Sequence, residues 1–231
     1  MDLCLKQFLN QFFSLEIAGK KVRIPYWRNK FFLGGLKRIQ GPFGGKGTPL
    51  QIKKATYQKA KESGVNLESL TSQQIRKFME QKRIGLDCSG FVFQVLAFLK
   101  PNFWQKLAMA PGRSKNPQRR FNAAALTAGK NTLRISKISL MRIGDLIPVG
   151  FAQGKIDHVM IVVEKNEKEI LYAHSSNKTK PSGPHLGKIK IIDPEKPLEE
   201  QKWQETLIDG RNLLELAKEP LKKIGVRRIK Q

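Results

Sequence analysis

The order of periodic patterns along the chain constrains its fold most. Apolar residues recur at helical spacing in the first part of the chain, whereas the second part alternates turns with short strand-like runs. Runs this short suit antiparallel pairing, and helices followed by strands are typical of an α+β domain. The predicted helices are an N-terminal one, Thr48 to about Glu62, Thr71 to near Gly85, and Cys88 to Leu99; the predicted strands are Asp145–Phe151, His158–Val163, Glu169–His174 and Lys188–Ile192.

Charge is the other unusual property of the sequence. The chain has 43 Lys and Arg against 19 Asp and Glu, which gives a net charge of +24. Such a field favours nucleic acid, anionic lipid or acidic wall polymers without choosing between them, and solvated lysines with no binding role explain it equally well. Two basic clusters lack the interleaved aromatic side chains that are expected of a single-strand stacking platform. They consist of Arg113, Lys115, Arg119 and Arg120, and of Lys222, Lys223, Arg227 and Arg228.

The chain has two cysteines, Cys4 and Cys88, which excludes the disulfide framework of a small secreted domain. The N-terminus lacks the charged start and unbroken apolar run of a secretory signal and is predicted to form an amphipathic helix. No run approaches the roughly 18 apolar residues of a membrane span. These patterns leave the localisation of the protein undetermined.

Cys88 is predicted to lie in the first turn of a buried helix. The positive end of a helix dipole stabilises a thiolate, which is the nucleophilic form of cysteine. The small residues Ser89 and Gly90 follow it, so a substrate carbonyl can approach and backbone N–H groups can stabilise an oxyanion. A buried and inert cysteine is the structural alternative. The glycine-rich stretch before Pro49 lacks the spacing of a phosphate-binding loop.

The segment Asp87-Cys88-Ser89-Gly90-Phe91-Val92 resembles the nucleophile signature of NlpC-type peptidases, which are papain-like bacterial enzymes that cleave peptidoglycan stem peptides. Three downstream segments also resemble family strands, over residues 144–147, 157–161 and 171–176. The resemblance covers about residues 85 to 193. It implies a papain-like core in residues 85–231, with N-terminal helices packed on a central antiparallel sheet, and a helical and Gly-rich extension in residues 1–84.

The resemblance also implies the chemistry. Cys88 would be the nucleophile, His158 the base and His174 the residue that orients His158, with no metal and no cofactor. The bond implied is the one that joins D-glutamate to a diamino acid in a wall peptide. An amidase or acyltransferase on the same scaffold is the nearest variant. A polyanion-binding or nucleic-acid-binding protein on an inactive hydrolase fold is the alternative from another class.

The spacing of the two histidines supports a shared site. A three-residue loop, Lys165-Asn166-Glu167, would join the strands that carry them and set His158 directly opposite His174 on one face. A hydrogen-bonded core position is the structural alternative for each histidine. His185 follows a Pro- and Gly-rich stretch and is predicted to lie in a loop. The three histidines lack the spacings of a zinc site.

Three further residues are candidates for the oxyanion or substrate region: Tyr26, Asp87 and Ser89. Many relatives carry a Pro-Tyr pair shortly before the nucleophile, and here Pro25-Tyr26 matches that pair but lies far upstream. The resemblance implies a tyrosine hydroxyl near the oxyanion. Insertions over residues 30–85 and 101–135 are expected to border the site.

Overall fold

The computed structural model of the chain describes residues 1–28, 41–107, 121–150 and 155–230. These residues form a mixed α+β structure with a seven-stranded antiparallel sheet, as the order of the sequence patterns predicts. The helices described are α1 (Leu3–Phe13), α2 (Pro49–Glu62), α3 (Ser72–Gln81), α4 (Cys88–Leu99), α5 (Ala123–Thr127) and α6 (Leu214–Ile224). The strands are β1 (Leu15–Ile17), β2 (Lys20–Val22), β3 (Thr132–Ile135), β4 (Leu146–Val149), β5 (His158–Lys165), β6 (Glu169–Ser176), β7 (Gly183–Lys190), β8 (Lys202–Trp203) and β9 (Val226–Ile229).

The sheet order is β3-β9-β4-β5-β6-β7-β8, and β1 and β2 form a separate hairpin. Each face of the large sheet has its own apolar cluster. Val159 and Ile161 of β5 share one cluster with α1 to α4, whereas Met160 and Val162 share the other with Leu221 of α6. Alternation along a strand therefore places β5 between two helical layers.

The helix starts follow from their capping residues. Thr48 and Thr71 each form a capping box, with Gln51 and Gln74 respectively, and so begin α2 and α3 where the sequence predicts them. α3 ends at Gln81, before the predicted end near Gly85, because Arg83 adopts a left-handed conformation with φ 59°.

The N-terminal helices pack directly on the rest of the chain. Leu5, Leu9 and Phe12 of α1 lie in the same apolar cluster as Phe91 of α4. The division between residues 84 and 85 stays a prediction. Of the helices in the described ranges, none has the length and apolarity to cross a bilayer.

Two C-terminal arginines serve the fold. Arg227 is buried and donates through Nε to Thr132 Oγ1 at 2.8 Å. Arg228 donates to both carboxylate oxygens of Asp145, at 2.7 and 2.8 Å. These contacts tie β9 to its neighbours, so neither guanidinium is a freely available surface charge. Residues 113–120, which hold the other predicted basic cluster, lie outside the described residues.

The Asp145–Arg228 pair gives a stability prediction. Asp145→Ala should lower the free energy of unfolding by about 3 kcal/mol, because it leaves Arg228 without its partner. The expected loss is at the lower end of the range for a broken buried ion pair, because the Arg228 side chain is 17% exposed, although that of Asp145 is only 1% exposed. Urea unfolding of the two proteins measures the difference. Glu195→Ala is the control, because its pair with Lys137 is exposed, and an equal loss in both variants would contradict the argument.

Candidate active site

Cys88 is the first residue of α4, and its position is fixed by polar contacts around Asp87. Asp87 caps the helix through its Oδ1, which accepts from the Gly90 N–H at 2.6 Å. Lys46 donates from Nζ to Asp87 Oδ1 at 2.8 Å and to Ser89 Oγ at 2.5 Å. The side chains of Asp87 and Ser89, both candidates for substrate contact, therefore hold the start of α4 in place.

The glycine-rich segment before α2 packs on this helix start. Gly45 O accepts from the Asp87 N–H at 2.9 Å. A Cβ atom on Gly90 would collide with the same Gly45 carbonyl, so the close approach requires glycine there. This contact brings Lys46 beside Asp87.

The sulfur of Cys88 lies against the backbone at the start of β5. It is 3.8 Å from the carbonyl oxygen of Asp157, and the backbone N–H groups of Val159 and Ser89 are directed at it. The thiol therefore contacts the chain on both sides of His158. Within the described ranges its hydrogen bond is to Asp157 O and not to a histidine ring.

The resting thiol is protonated, contrary to the expectation from the helix dipole. Burial and the adjacent charge of Asp87 raise the pKa of Cys88 to about 12. Lys46 and the two backbone N–H groups act in the other direction but do not offset them. Formation of the thiolate would therefore require a base.

The two predicted histidines lie in contact, but in a different strand register. His158 Nε2 is 2.9 Å from His174 Nδ1, and both side chains are buried. Ile161 pairs with Ala173 rather than with Leu171, and a bulge follows between Val162 and Glu164. The prediction that His158 sits directly opposite His174 is therefore wrong, although the shift of two residues keeps both rings on one face.

The register differs because the hairpin turn differs. Asn166 N donates to Glu169 O at 3.0 Å, and the Asn166 side chain accepts from the N–H groups of Lys168 and Glu169. This side-chain capping tightens the turn around Glu167 and Lys168. The predicted loop, Lys165-Asn166-Glu167, ends one residue before the observed connection, which runs from Asn166 to Lys168.

Glu205 is a site residue that the sequence did not indicate. Its carboxylate accepts from three groups: His174 Nε2 at 3.0 and 3.2 Å, His185 Nε2 at 2.8 Å, and Tyr172 OH at 2.5 Å. A Cβ on Gly187 would collide with Glu205 and with the Tyr172 ring, so a glycine in β7 makes room for them. Glu205 thereby extends the histidine pair by one member.

His185 belongs to this cluster and not to a loop. It lies in β7, directly opposite His174 in β6, and is buried. Its predicted loop position is wrong because Gly183 and Pro184 are themselves part of the strand. His174, His185 and Glu205 each offer one ligand atom within 4.8 Å of the others, a spacing that a divalent metal ion could bridge. The hydrogen bonds described here already engage all three.

Tyr26 is brought close to Cys88 despite its separation in sequence. Leu86 N donates to Pro25 O at 3.1 Å, and Trp27 N donates to Leu86 O at 3.4 Å. The Pro25-Tyr26-Trp27 segment thus runs beside the residue that precedes Asp87. Burial, followed by the neighbouring Cys88 and Asp87, raises the pKa of Tyr26 above its usual range. Its hydroxyl is therefore a neutral donor at the edge of the site.

The buried histidines give a prediction for stability against pH. Burial lowers the pKa of both His158 and His174, so the unfolded chain binds more protons than the folded one below its histidine pKa of about 6.5. Their contribution is present above that pH and is lost as the pH falls. The free energy of unfolding should drop between pH 6.5 and 5.5, with a slope of up to about 1.4 kcal/mol per pH unit for each proton.

Urea unfolding at pH 7.5, 6.5 and 5.5 measures this slope. His158→Gln, which cannot titrate in this range, should show a shallower dependence than the original chain. Equal slopes in the two proteins would contradict a buried neutral His158.

Comparisons of the chain with protein-family models, with curated proteins and with solved structures found no match. The resemblance to NlpC-type peptidases accordingly depends on the motifs quoted above.

Proposed function

We propose that the protein is a papain-like thiol hydrolase of the NlpC type. The observation that supports this best is the joint position of three side chains: the Cys88 sulfur lies against the backbone that flanks His158, and His158 is hydrogen-bonded to His174 at 2.9 Å. A nucleophile, a base and a residue that orients the base is the pattern of covalent acyl transfer. An inert core cysteine requires no such neighbours.

The reaction starts with the protonated thiol. His158 takes the proton of Cys88, and the thiolate attacks an amide carbonyl. The N–H groups of Cys88 and Ser89 lie in the first turn of α4, where backbone donors lack helical partners, and stabilise the oxyanion. His158 then gives its proton to the leaving amine. Water hydrolyses the thioester and restores the thiol.

The substrate class proposed is the stem peptide of peptidoglycan, cleaved between D-glutamate and a diamino acid. This assignment follows from the resemblance of the motif that contains Cys88. An amidase or acyltransferase would use the same Cys88 and His158 but release a different product. The bond broken therefore distinguishes the variants.

Digestion of purified peptidoglycan fragments tests the proposal. Mass spectrometry of the products should show a new amino terminus on the diamino acid and a free carboxylate on D-glutamate. Loss of ammonia alone would indicate an amidase instead. No covalent change in any fragment, with folded protein at high concentration, would count against the peptidase.

The binding-protein alternative is less well supported. Arg227 and Arg228, two of the basic residues on which it relied, are engaged by Thr132 and Asp145. The other two basic residues of that cluster, Lys222 and Lys223, lie in the last turn of α6.

A further inference from the structure

The Glu205 carboxylate is an acceptor for three buried donors. Its side chain is 7% exposed, and that of His174 is fully buried. Burial of a charged carboxylate is unfavourable unless donors surround it, and here His174, His185 and Tyr172 do so. Despite its burial, His174 and His185 keep the pKa of Glu205 well below its usual range. The group is therefore ionised and can only accept hydrogen bonds.

His185 is the second ring that contacts the Glu205 carboxylate. Its Nδ1 is 2.8 Å from the Gly183 carbonyl oxygen. Its Nε2 is 2.8 Å from Glu205 Oε1 and 3.2 Å from Thr179 Oγ1. The carboxylate is therefore held between His174 and His185.

The positions of the protons on His174 and His158 follow because the Glu205 carboxylate only accepts hydrogen bonds. Glu205 only accepts, so the proton of His174 is on Nε2 and its Nδ1 has a lone pair. That lone pair accepts from His158 Nε2 at 2.9 Å, so the proton of neutral His158 is on Nε2. His158 Nδ1 then has the lone pair required of a base.

We infer that Glu205 is a positioning residue that fixes the tautomers of His174 and His158 and so keeps the basic lone pair of His158 on Nδ1. The inference deepens the proposed function and rests on it for its catalytic consequence. The tautomers themselves do not depend on any substrate. They can therefore be tested separately from turnover.

Nitrogen-15 NMR of the histidine rings is the first test. In the full chain at neutral pH, His158 and His174 should both be protonated on Nε2 and not on Nδ1. Glu205→Ala should lose this uniform state and show Nδ1-protonated His174. A wild-type chain with the proton on His174 Nδ1 would overturn the inference, and this result needs no variant to fold.

The same spectra separate a proton from a metal. A divalent ion on His174 Nε2 would force the proton onto Nδ1, which reverses the tautomer of His158. Elemental analysis of the purified chain, and spectra with added zinc or with a chelator, distinguish the two states. A tightly held metal with Nδ1-protonated His174 would replace Glu205 as the group that sets the tautomers.

Kinetics provide the second test. Glu205→Ala should lower kcat by at least about 10²-fold with little change in KM, because the base is misoriented while the substrate pocket is intact. Glu205→Gln keeps an acceptor for His174 and should restore part of the rate. The exposed Glu200→Gln is the matched control and should not change kcat.

Equal kcat loss in Glu205→Gln and Glu205→Ala, with unchanged tautomers in both, would assign Glu205 a merely structural role. A wild-type chain with no turnover but Nε2-protonated rings would refute the hydrolase and leave the positioning of the tautomers intact.

Discussion

Cys88→Ala should abolish turnover, with a loss on the order of 10⁶-fold, the size found when the nucleophile of a comparable catalytic triad is removed. In the proposed reaction the thiolate is the group that bonds to the substrate carbonyl, and the alanine at position 88 cannot replace it. The fold should persist, because alanine suits the first turn of α4 and Asp87 still caps the helix. Product formation from peptidoglycan fragments measures the rate, and urea unfolding measures the stability.

Cys4→Ala is the matched control, since Cys4 is the other free cysteine and is exposed. It should retain full activity. Hydrolysis by the Cys88→Ala variant at the wild-type rate would exclude Cys88 as the nucleophile. Loss of activity in both variants would point to an effect other than nucleophilic attack.

The histidine variants should be ordered in their effect. His158→Ala removes the proposed base and should lower kcat by ~10² to 10⁴-fold. His174→Ala should cause a smaller but substantial loss, because it removes the 2.9 Å contact to His158 Nε2 but leaves His158 itself in place. His174→Asn keeps a hydrogen-bonding group and should preserve more of the rate than His174→Ala.

The comparison with His185→Ala decides which ring orients the base. His185 contacts Glu205 and Gly183, so its loss should act on His158 only indirectly. An unchanged kcat in His174→Ala, together with a large loss of kcat in His185→Ala, would contradict the role of His174 in orienting His158. The rates should be measured with the same substrate, and circular dichroism should confirm that each variant is folded.

Local sequence signals were sufficient for most helices. The capping residues Thr48 and Thr71 predict the starts of α2 and α3. The apolar spacing after Cys88 predicts the full length of α4, Cys88–Leu99. These signals work because a capping side chain and a helical stripe act over a few residues. The strands that carry His158 and His174 are also predicted, since β5 is rich in β-branched residues and β6 has Ile170 and Tyr172.

The strand register could not be predicted as well. It depends on how Asn166 caps the turn and on a bulge after Val162, and neither leaves a distinctive pattern in the sequence. The two predicted rings still meet because the shift is by two residues. A shift by one would have placed them on opposite faces.

Residues Glu205 and His185 show the limit of local reasoning. Glu205 is one acid in a polar stretch, and only the tertiary fold brings it to His174. The Pro184 residue makes the start of β7 resemble a loop. A proline is nevertheless tolerated there, because at this point β7 pairs with β6 on one side, while its pairs with β8 on the other side lie further along, at Ile189 and Lys190.

The place of β9 in the sheet has a consequence for synthesis. β9 lies between β3 and β4, although it follows both along the chain, and β3 pairs with β9. While a ribosome is still making residues before Val226, the nascent chain has an open edge on β4 and an unpaired β3. Open edges of this kind recruit strands from other chains. Newly made molecules should therefore need shielding from one another until Val226–Ile229 emerges and inserts between the two strands.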